Sequence, residues 1–561
     1  MPVGFMSMAG ELKRAGYQVK IFNLALSAST DPGFDLRSKL KSIEASVYGV
    51  DFHWFAHAYG FTKVVSEIKS LRRNSRVVVG GMSASWFVRD VIKQAGVDAV
   101  VIGEGERSLV ELVDAWENGK DVSQVKGLAY KVGNKAEFTP LRPPATQEEF
   151  SNYDFTSVEL IDDYQSYLTF GGKVPNFWLP TARGCPYNCA YCGGSREGYN
   201  ASMGRQVTIF RDPGSVVRDV ETLKQKGVRV VSFTHDPEVG GERYWGPLLR
   251  ELSSRVPDVG IYIESFRVPS EKFMEALSKL AGSSLAVSPE SASQQVRDFV
   301  GRHVTDEQIF ESLRSAKRLA IPTLIYFLIG LPMETWDTFS LFEPMVKKII
   351  DEKLGFVVPP IPYTLDPNSP MAIRSEEFGV KLLVKTFDQY VKMSKSNEEA
   401  DWIAHETRWL SRSDIQKMLQ KSRQIVLSLY GNPHLEVLRS HRADGSVRFA
   451  YIPRRRNFAR GRSSRGMFVL PLRSTEKAHH AAGVTFIGNS RAFKRIKTPS
   501  KERFRLSYHP VKLVTKACAD PYFAGGRDFK RSERKKHEAN TQQTEHQAQM
   551  GKAKARTIST A

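Results

Sequence analysis

The chain has 561 residues, enough for two or three domains that each bury a core, and its 41% hydrophobic and 25% charged content is that of a globular protein folding in water. No apolar run reaches the roughly 18 residues of a spanning helix, and the first residues lack the basic stretch, apolar block and cleavage site of a secretory leader; membrane and secreted readings are set aside, and the expected address is cytoplasmic. The net charge of +20 is uneven: residues 436–561 hold 29 Lys+Arg against 9 Asp+Glu, whereas residues 1–435 hold 52 of each.

Over residues 1–130, helix and strand signals alternate. Gly10-Glu-Leu-Lys-Arg-Ala-Gly16 closes an amphipathic helix, and Gln18-Val-Lys-Ile-Phe22 follows as a strand. Ala45-Ser-Val-Tyr-Gly-Val50 and Arg76-Val-Val-Val79 are further β-branched runs, with a helix expected over 61–71 between them. Asp98-Ala-Val-Val-Ile102 leads into Gly103-Glu-Gly-Glu106 and a helix that places Leu109, Leu112, Val113 and Trp116 on one face. This alternation predicts a parallel, doubly wound, Rossmann-like sheet. Ligands bind at the strand ends of such sheets, where Gly80, Gly81, Gly103 and Gly105 stand. The Pro-containing, polar stretch 131–173 reads as a linker.

The pattern resumes over 174–390 with longer helices. Asp212-Pro213 is an N-cap followed by a first-turn proline, and Val228-Arg-Val-Val-Ser-Phe233 is the strand after that helix. Thr305 and Gln308 form a capping box, and Thr323-Leu-Ile-Tyr-Phe-Leu-Ile329 reads as a buried strand. Repeated βα units predict a full or partial TIM-type barrel. His235 and Asp236 end one strand at the barrel mouth, where catalytic groups gather, and are candidates for contact with cofactor or substrate. A helical accessory region is expected over 391–435. Beyond it, Arg454-Arg-Arg456, Lys494-Arg495 and Arg534-Lys-Lys536 stand in a basic tail, 436–561, without a sustained apolar period.

Only four cysteines occur, and Cys185, Cys189 and Cys192 fall in one loop, Arg183-Gly-Cys-Pro-Tyr-Asn-Cys-Ala-Tyr-Cys-Gly-Gly194. That is a ligand pattern and no disulfide framework. Three thiolates from one tight loop suit three irons of a cubane, leaving the fourth iron open. The alternative, a zinc knuckle, needs a fourth ligand. The loop contains no His, and Cys518 is remote in sequence.

This loop, its place after the first barrel strand, Tyr191 before the last cysteine and Gly193-Gly194 after it resemble the signature of the radical S-adenosylmethionine (SAM) superfamily. Ser288-Pro-Glu-Ser-Ala-Ser293 is similar to the strand-end segment that contacts SAM in that family, and Ile329-Gly-Leu-Pro-Met-Glu-Thr335 to its GLPGET-like turn. Gly80-Gly81 and Gly103-Glu-Gly-Glu106 resemble the cobalamin-binding domain that precedes many such cores. The resemblance implies a four-iron four-sulfur cluster on Cys185, Cys189 and Cys192 that cleaves SAM to a 5′-deoxyadenosyl radical, with cobalamin as methyl carrier. It implies SAM contacts from Tyr191, Gly193, Gly194, Glu290 and Ser291, a turn near the adenine shaped by Gly330 and Pro332, and cobalamin contacts from Gly80, Gly81, Gly103 and Gly105. A substrate that is either a small molecule or of unknown class, and an external reductant such as flavodoxin or ferredoxin, complete the expectation.

Cobalamin domains of this type open with a strand ahead of the region matching Pro2-Val-Gly-Phe5, and that strand is expected to be missing. Asp51-Phe-His53 is superficially similar to the family's cobalt-binding histidine signature, but it follows a later strand and has Ala56 where glycine belongs, so His53 is expected to be buried or hydrogen-bonded instead. A tRNA methylthiotransferase is disfavoured, because no cysteine precedes Cys185 to hold a second cluster. The basic tail keeps a nucleic-acid-binding or RNA-modifying alternative open, though it lacks a recognition helix or aromatic platform.

Overall fold

The computed structural model describes residues 3–169 and 174–430, together with the backbone of strands at Leu435–His441, Val447–Pro453 and Gly483–Gly488. In the first lobe, helix Gly4–Arg14 precedes β1 (Gln18–Asn23). Three parallel strands follow, β2 (Val47–Asp51), β3 (Arg76–Gly80) and β4 (Ala99–Val101), and β5 (Leu128–Val132) and β6 (Lys135–Phe138) extend the sheet antiparallel. Alternation along β3 sorts its side chains to two cores. Val77 and Val79 pack with Phe61, Val64 and Ile68 of helix Ala58–Leu71, while Val78 packs with Leu109, Leu112 and Val113 of helix Glu106–Asn118. Between β1 and β2 the sheet takes in Gly483–Gly488, antiparallel to both, from Gln18↔Gly488 on one side to Val47↔Ile487 on the other.

The second lobe begins with β7 (Asn176–Leu179). A short ribbon of β8 (Ala182–Arg183) and β9 (Ile209–Phe210) follows, then β10 (Val230–Phe233), β11 (Gly260–Ser265), β12 (Ser284–Glu290), β13 (Thr323–Phe327) and β14 (Phe356–Val357). The long strands form one parallel six-stranded sheet in the order β14-β13-β12-β11-β10-β7, an open partial barrel. Phe177, Leu179, Val231, Phe233, Ile261 and Ile263 point outward into a core shared with helices Pro213–Gln225 and Glu242–Arg255. The expected caps form: Asp212 accepts from Ser215 N–H at 2.8 Å, and Thr305 and Gln308 bond each other's backbone N–H.

The segment read as a linker is packed. It holds β6 and helices Gln147–Asn152 and Tyr164–Leu168, and Phe150, Tyr153, Phe155 and Val158 enter the same core as β7 and β10. The accessory region contributes helix Phe387–Lys395, whose Phe387 and Tyr390 pack into the first lobe's aromatic core, and helix Arg412–Leu429. β15 (Val380–Leu382) and β16 (His405–Thr407) pair beside them. Apart from its three strands, the expectation of a low-order tail lies outside the described residues. Among the described residues no helix is long and apolar enough to cross a membrane.

Candidate active site

The cysteine loop leaves β8 through Gly184, whose φ of +83° turns the chain. Arg196 N–H donates to Tyr187 O at 2.8 Å, and Ser195 caps the helix Arg196–Met203 that ends the loop. Ala190 N–H donates to Val300 O and Met371 N–H to Ala190 O, tying the loop to segments after β12 and β14. Cys189 is buried, Cys185 and Cys192 are half-buried, and all three thiols are free. Burial pushes the Cys185 thiol up to about 11 and Cys192 higher still. The protein therefore disfavours bare thiolates there, and a bound cation supplies the charge that makes them stable. Unpaired thiols on one loop, at the carboxyl end of a parallel sheet, fit an iron–sulfur cluster.

Around the loop the structure gathers Tyr191, Glu290 and Arg302. Tyr191 OH donates to Glu290 Oε1 at 2.8 Å, and Arg302 Nε lies 3.9 Å from the same oxygen. Glu290 follows a register shift in β12 and has a φ of +71°, a backbone strain of about 1–3 kcal/mol held in place by its surroundings. Its burial raises its pKa, against the pull of Arg302 and the tyrosine hydroxyl. Ser291 lies beside it, but its Oγ accepts from Ser293 N–H and so serves its own turn.

Gly193 and Gly194 differ. A Cβ on Gly193 would meet Asn368 Oδ1 at 2.6 Å and Asp366 Cβ at 2.9 Å, so its space is filled by protein, whereas the nearest atom to a Cβ on Gly194 is Cys192 Sγ at 3.6 Å. Of the two, only Gly194 keeps backbone open to a ligand. Asp366 accepts from Gly193 N–H at 3.0 Å, and burial raises its pKa to about 6. Asn368 Nδ2 donates to Gly193 O at 2.8 Å and Gly198 O at 3.1 Å, and reaches Met82 Sδ of the first lobe at 3.5 Å. The cysteine loop thus faces the ligand-binding edge of the doubly wound sheet.

On that edge a Cβ at Gly80 would have Val101 Cβ at 3.9 Å as its nearest neighbour, leaving accessible backbone. Gly81 has a φ of +118° and lies against the His53 backbone, which a Cβ would approach to 2.6 Å. Open backbone facing the cysteine loop fits a flat cofactor held between the lobes. Gly105 instead makes room for Met8, and Gly103 lies against Met203 O. Asp51 bonds His53 N–H with one oxygen and lies 3.1 Å from His57 Nδ1 with the other, so it engages His57 and not the His53 ring; burial lowers the His53 pKa.

The carboxylates of Gly103-Glu-Gly-Glu106 do what its glycines do not. Glu104 accepts from Arg205 Nε at 2.6 Å and Arg183 Nη1 at 3.0 Å, while Glu106 pairs with Arg183 and accepts from Ser7 Oγ at 2.7 Å. Arg183 is two residues before Cys185 and lies over the Phe150 ring, 4.6 Å from its centroid. This buried clasp joins the two lobes at the base of the cysteine loop.

His235 and Asp236 are both buried and turn to backbone: His235 Nε2 meets Gly184 O, and Asp236 accepts from Phe266 N–H at 2.8 Å and Glu238 N–H at 2.9 Å. Burial pushes the Asp236 carboxyl up to about 7. Gly330 and Pro332 form the turn after β13, but Glu334 and His405 hold it through Gly330 N–H and Gly330 O, and a Cβ on Gly330 would meet Ile415. Sequence reading passed over Arg267, Arg302, Asp366 and Asn368. Asp366 and Asn368 stand in a Pro-containing turn segment, Leu365-Asp-Pro-Asn-Ser-Pro370, while the two arginines carry no local signal.

The radical SAM superfamily profile matches residues 179–342 and the B12 binding domain profile residues 1–113. Fold and matches together define an enzyme in which a radical SAM core, residues 179–342, stands behind a B12-binding domain, residues 1–113. A four-iron four-sulfur cluster, SAM and cobalamin are the cofactors of that pairing. TsrM from Kitasatospora setae, a radical S-adenosylmethionine methyltransferase solved with cobalamin and a [4Fe-4S] cluster, shares the fold over 76% of this chain and 86% of its own, with a TM-score of 0.55 and 18% identity. The cobalamin-dependent enzyme OxsB covers 74% of this chain and 63% of its own at a TM-score of 0.51 and 13% identity. In sequence, an uncharacterised methyltransferase of Pyrococcus horikoshii is 26% identical over 65% of this chain and 77% of its own length. The anaerobic magnesium-protoporphyrin IX monomethyl ester cyclase of Rubrivivax gelatinosus is 27% identical over 69% and 68%.

Proposed function

We propose that this enzyme methylates an unactivated carbon of a small molecule. The observation that carries the reading is Asn368, whose amide touches both the cysteine loop and Met82, so that residues suited to SAM and residues suited to cobalamin border one space. When bound, the cluster with SAM supplies a 5′-deoxyadenosyl radical for hydrogen abstraction, and cobalamin supplies the methyl group. The chain's own residues bind, orient and exclude water. Cys185, Cys189 and Cys192 hold the cluster, with a low-potential donor such as flavodoxin or ferredoxin as the electron source. Gly194 offers backbone to the SAM amino group. Tyr191 and Glu290, fixed on each other, present a carboxylate to the ribose or amino group, and Ser291 stiffens that turn. Gly80 gives the corrinoid an edge of backbone, Gly81 turns the chain beside it against His53, and Gly103 and Gly105 shape the strand end beneath it. His235 and Asp236 hold Gly184 and the strand ends, and so position the cysteine loop; Gly330 and Pro332 shape the floor.

The test is anaerobic reconstitution of the full chain with iron, sulfide and cobalamin, followed by assay of SAM products. Formation of both 5′-deoxyadenosine and S-adenosylhomocysteine is expected, and both should vanish in a Cys185→Ala, Cys189→Ala, Cys192→Ala variant. Deoxyadenosine without S-adenosylhomocysteine would refute methyl transfer. Zinc in place of iron, with no low-potential paramagnetic signal after dithionite, would refute the cluster as well.

A further inference from the structure

Two guanidinium groups share the Phe266 carbonyl beside the cysteine loop, and they are used differently. Arg302, 5% exposed, is spent on carbonyl oxygens: Nη2 and Nε donate to Ser288 O at 2.7 and 3.1 Å, and Nη1 donates to Phe266 O. Arg267, just beyond β11, gives Nη2–H to Gly301 O at 3.1 Å and divides Nη1 between Phe266 O at 2.9 Å and Cys189 Sγ at 3.5 Å. Its plane lies over the Tyr187 ring, 3.8 Å from the centroid. Two carbonyls and a ring therefore fix this cation, and the second Nη1–H is directed at sulfur. A planar fork is needed to meet all of these at once.

We propose that Arg267 sets the reduction potential of the iron–sulfur cluster, holding it higher than three half-buried or buried thiolates would alone, by donating a hydrogen bond to the Cys189 sulfur. The inference rests on the reading that Cys189 is a cluster ligand. One-electron reduction adds a negative charge that spreads over the irons and their sulfur ligands. A fixed donor and cation at one of those sulfurs stabilises the reduced form more than the oxidised form, and burial acts the other way. The electron comes from a low-potential one-electron donor and no proton moves. Because an arginine does not deprotonate in proteins, the effect is constant across the working pH range. Arg267 is thus a positioning and tuning residue, acting on the cluster through Cys189.

The experiment is a mediated anaerobic redox titration of the reconstituted full chain, read by the paramagnetic signal of the reduced cluster, with iron and sulfide counted in parallel. Arg267→Gln is expected to lower the reduced-to-oxidised ratio at a given potential about tenfold, a shift of roughly 59 mV for one electron, and Arg267→Lys, which keeps the charge without the planar fork, to recover only part of it. A fully loaded Arg267→Gln cluster with the wild-type potential would overturn the proposal. Should that variant fail to assemble its cluster, Tyr187→Leu, which removes the ring beneath the guanidinium and leaves every cysteine, is expected to shift the potential downward by a smaller amount; an unchanged potential there overturns the proposal equally. A wild-type chain with no reducible cluster would overturn the reading of the cysteine loop, and the inference with it.

Discussion

Glu334 lies 3% exposed inside the turn after β13, where its Oε2 accepts from Gly330 N–H at 2.6 Å, and burial raises its pKa to about 7. In the unfolded chain this acid ionises near 4.5. Between those values the folded state holds a proton that the unfolded state has lost, so stability falls as pH rises through the window, and the full cost is present above about 7. Glu334→Gln keeps an acceptor for Gly330 N–H and has no proton to lose. It should raise the melting temperature by a few degrees at pH 8 and leave it unchanged at pH 4, as read by thermal unfolding across that range. At this scale the sequence is legible where chemistry is local. Three cysteines in eight residues announce their purpose, whereas Asp366 and Asn368 reach Gly193 across more than 170 residues of chain that no spacing rule connects. Gly193 was read as room for a ligand because a missing side chain looks the same in sequence whether protein or cofactor fills the gap.

Among the elements, the clasp of Glu104 and Glu106 with Arg183 and Arg205 joins the strand end after β4 to the base of the cysteine loop. Arg205 is 4% exposed and its Nη2 also donates to Ala145 O at 2.7 Å, so the pair is shielded from water. Removing one partner strands a buried charge. Arg205→Met is expected to cost about 3–5 kcal/mol in denaturant unfolding, while Lys120→Met, cutting a surface pair, should leave stability as it was. Strands and amphipathic helices were readable because their apolar periods of two and 3.6 depend on near neighbours. The stretch 131–173 was not. Phe150, Tyr153 and Phe155 are separated by Ser151, Asn152 and Asp154 without a sustained period of either kind, and their burial comes from β7, β10 and helix Pro213–Gln225, which arrive later in the chain.

At the scale of the whole molecule, the charge surplus and one structural role meet in the same segment. Residues 436–561 carry the entire excess of +20, and from within them Gly483–Gly488 enters the first lobe's sheet between β1 and β2. Without that strand two edges of unpaired backbone face each other. A chain ending at residue 470 should still assemble its cluster and cleave SAM, since among the described residues the six-stranded sheet takes no strand from the segment, but it should lose cobalamin on desalting; full corrinoid retention would show that the strand is dispensable to the sheet.

That pairing also bears on synthesis. A ribosome releases Gln18 long before Gly488, so the sheet that holds β1 and β2 closes only after a strand made much later, and the barrel between them is free to fold meanwhile. In the cell the nascent first lobe would then be a client for chaperones, and any premature stop ahead of residue 483 would strike that lobe harder than the barrel made after it.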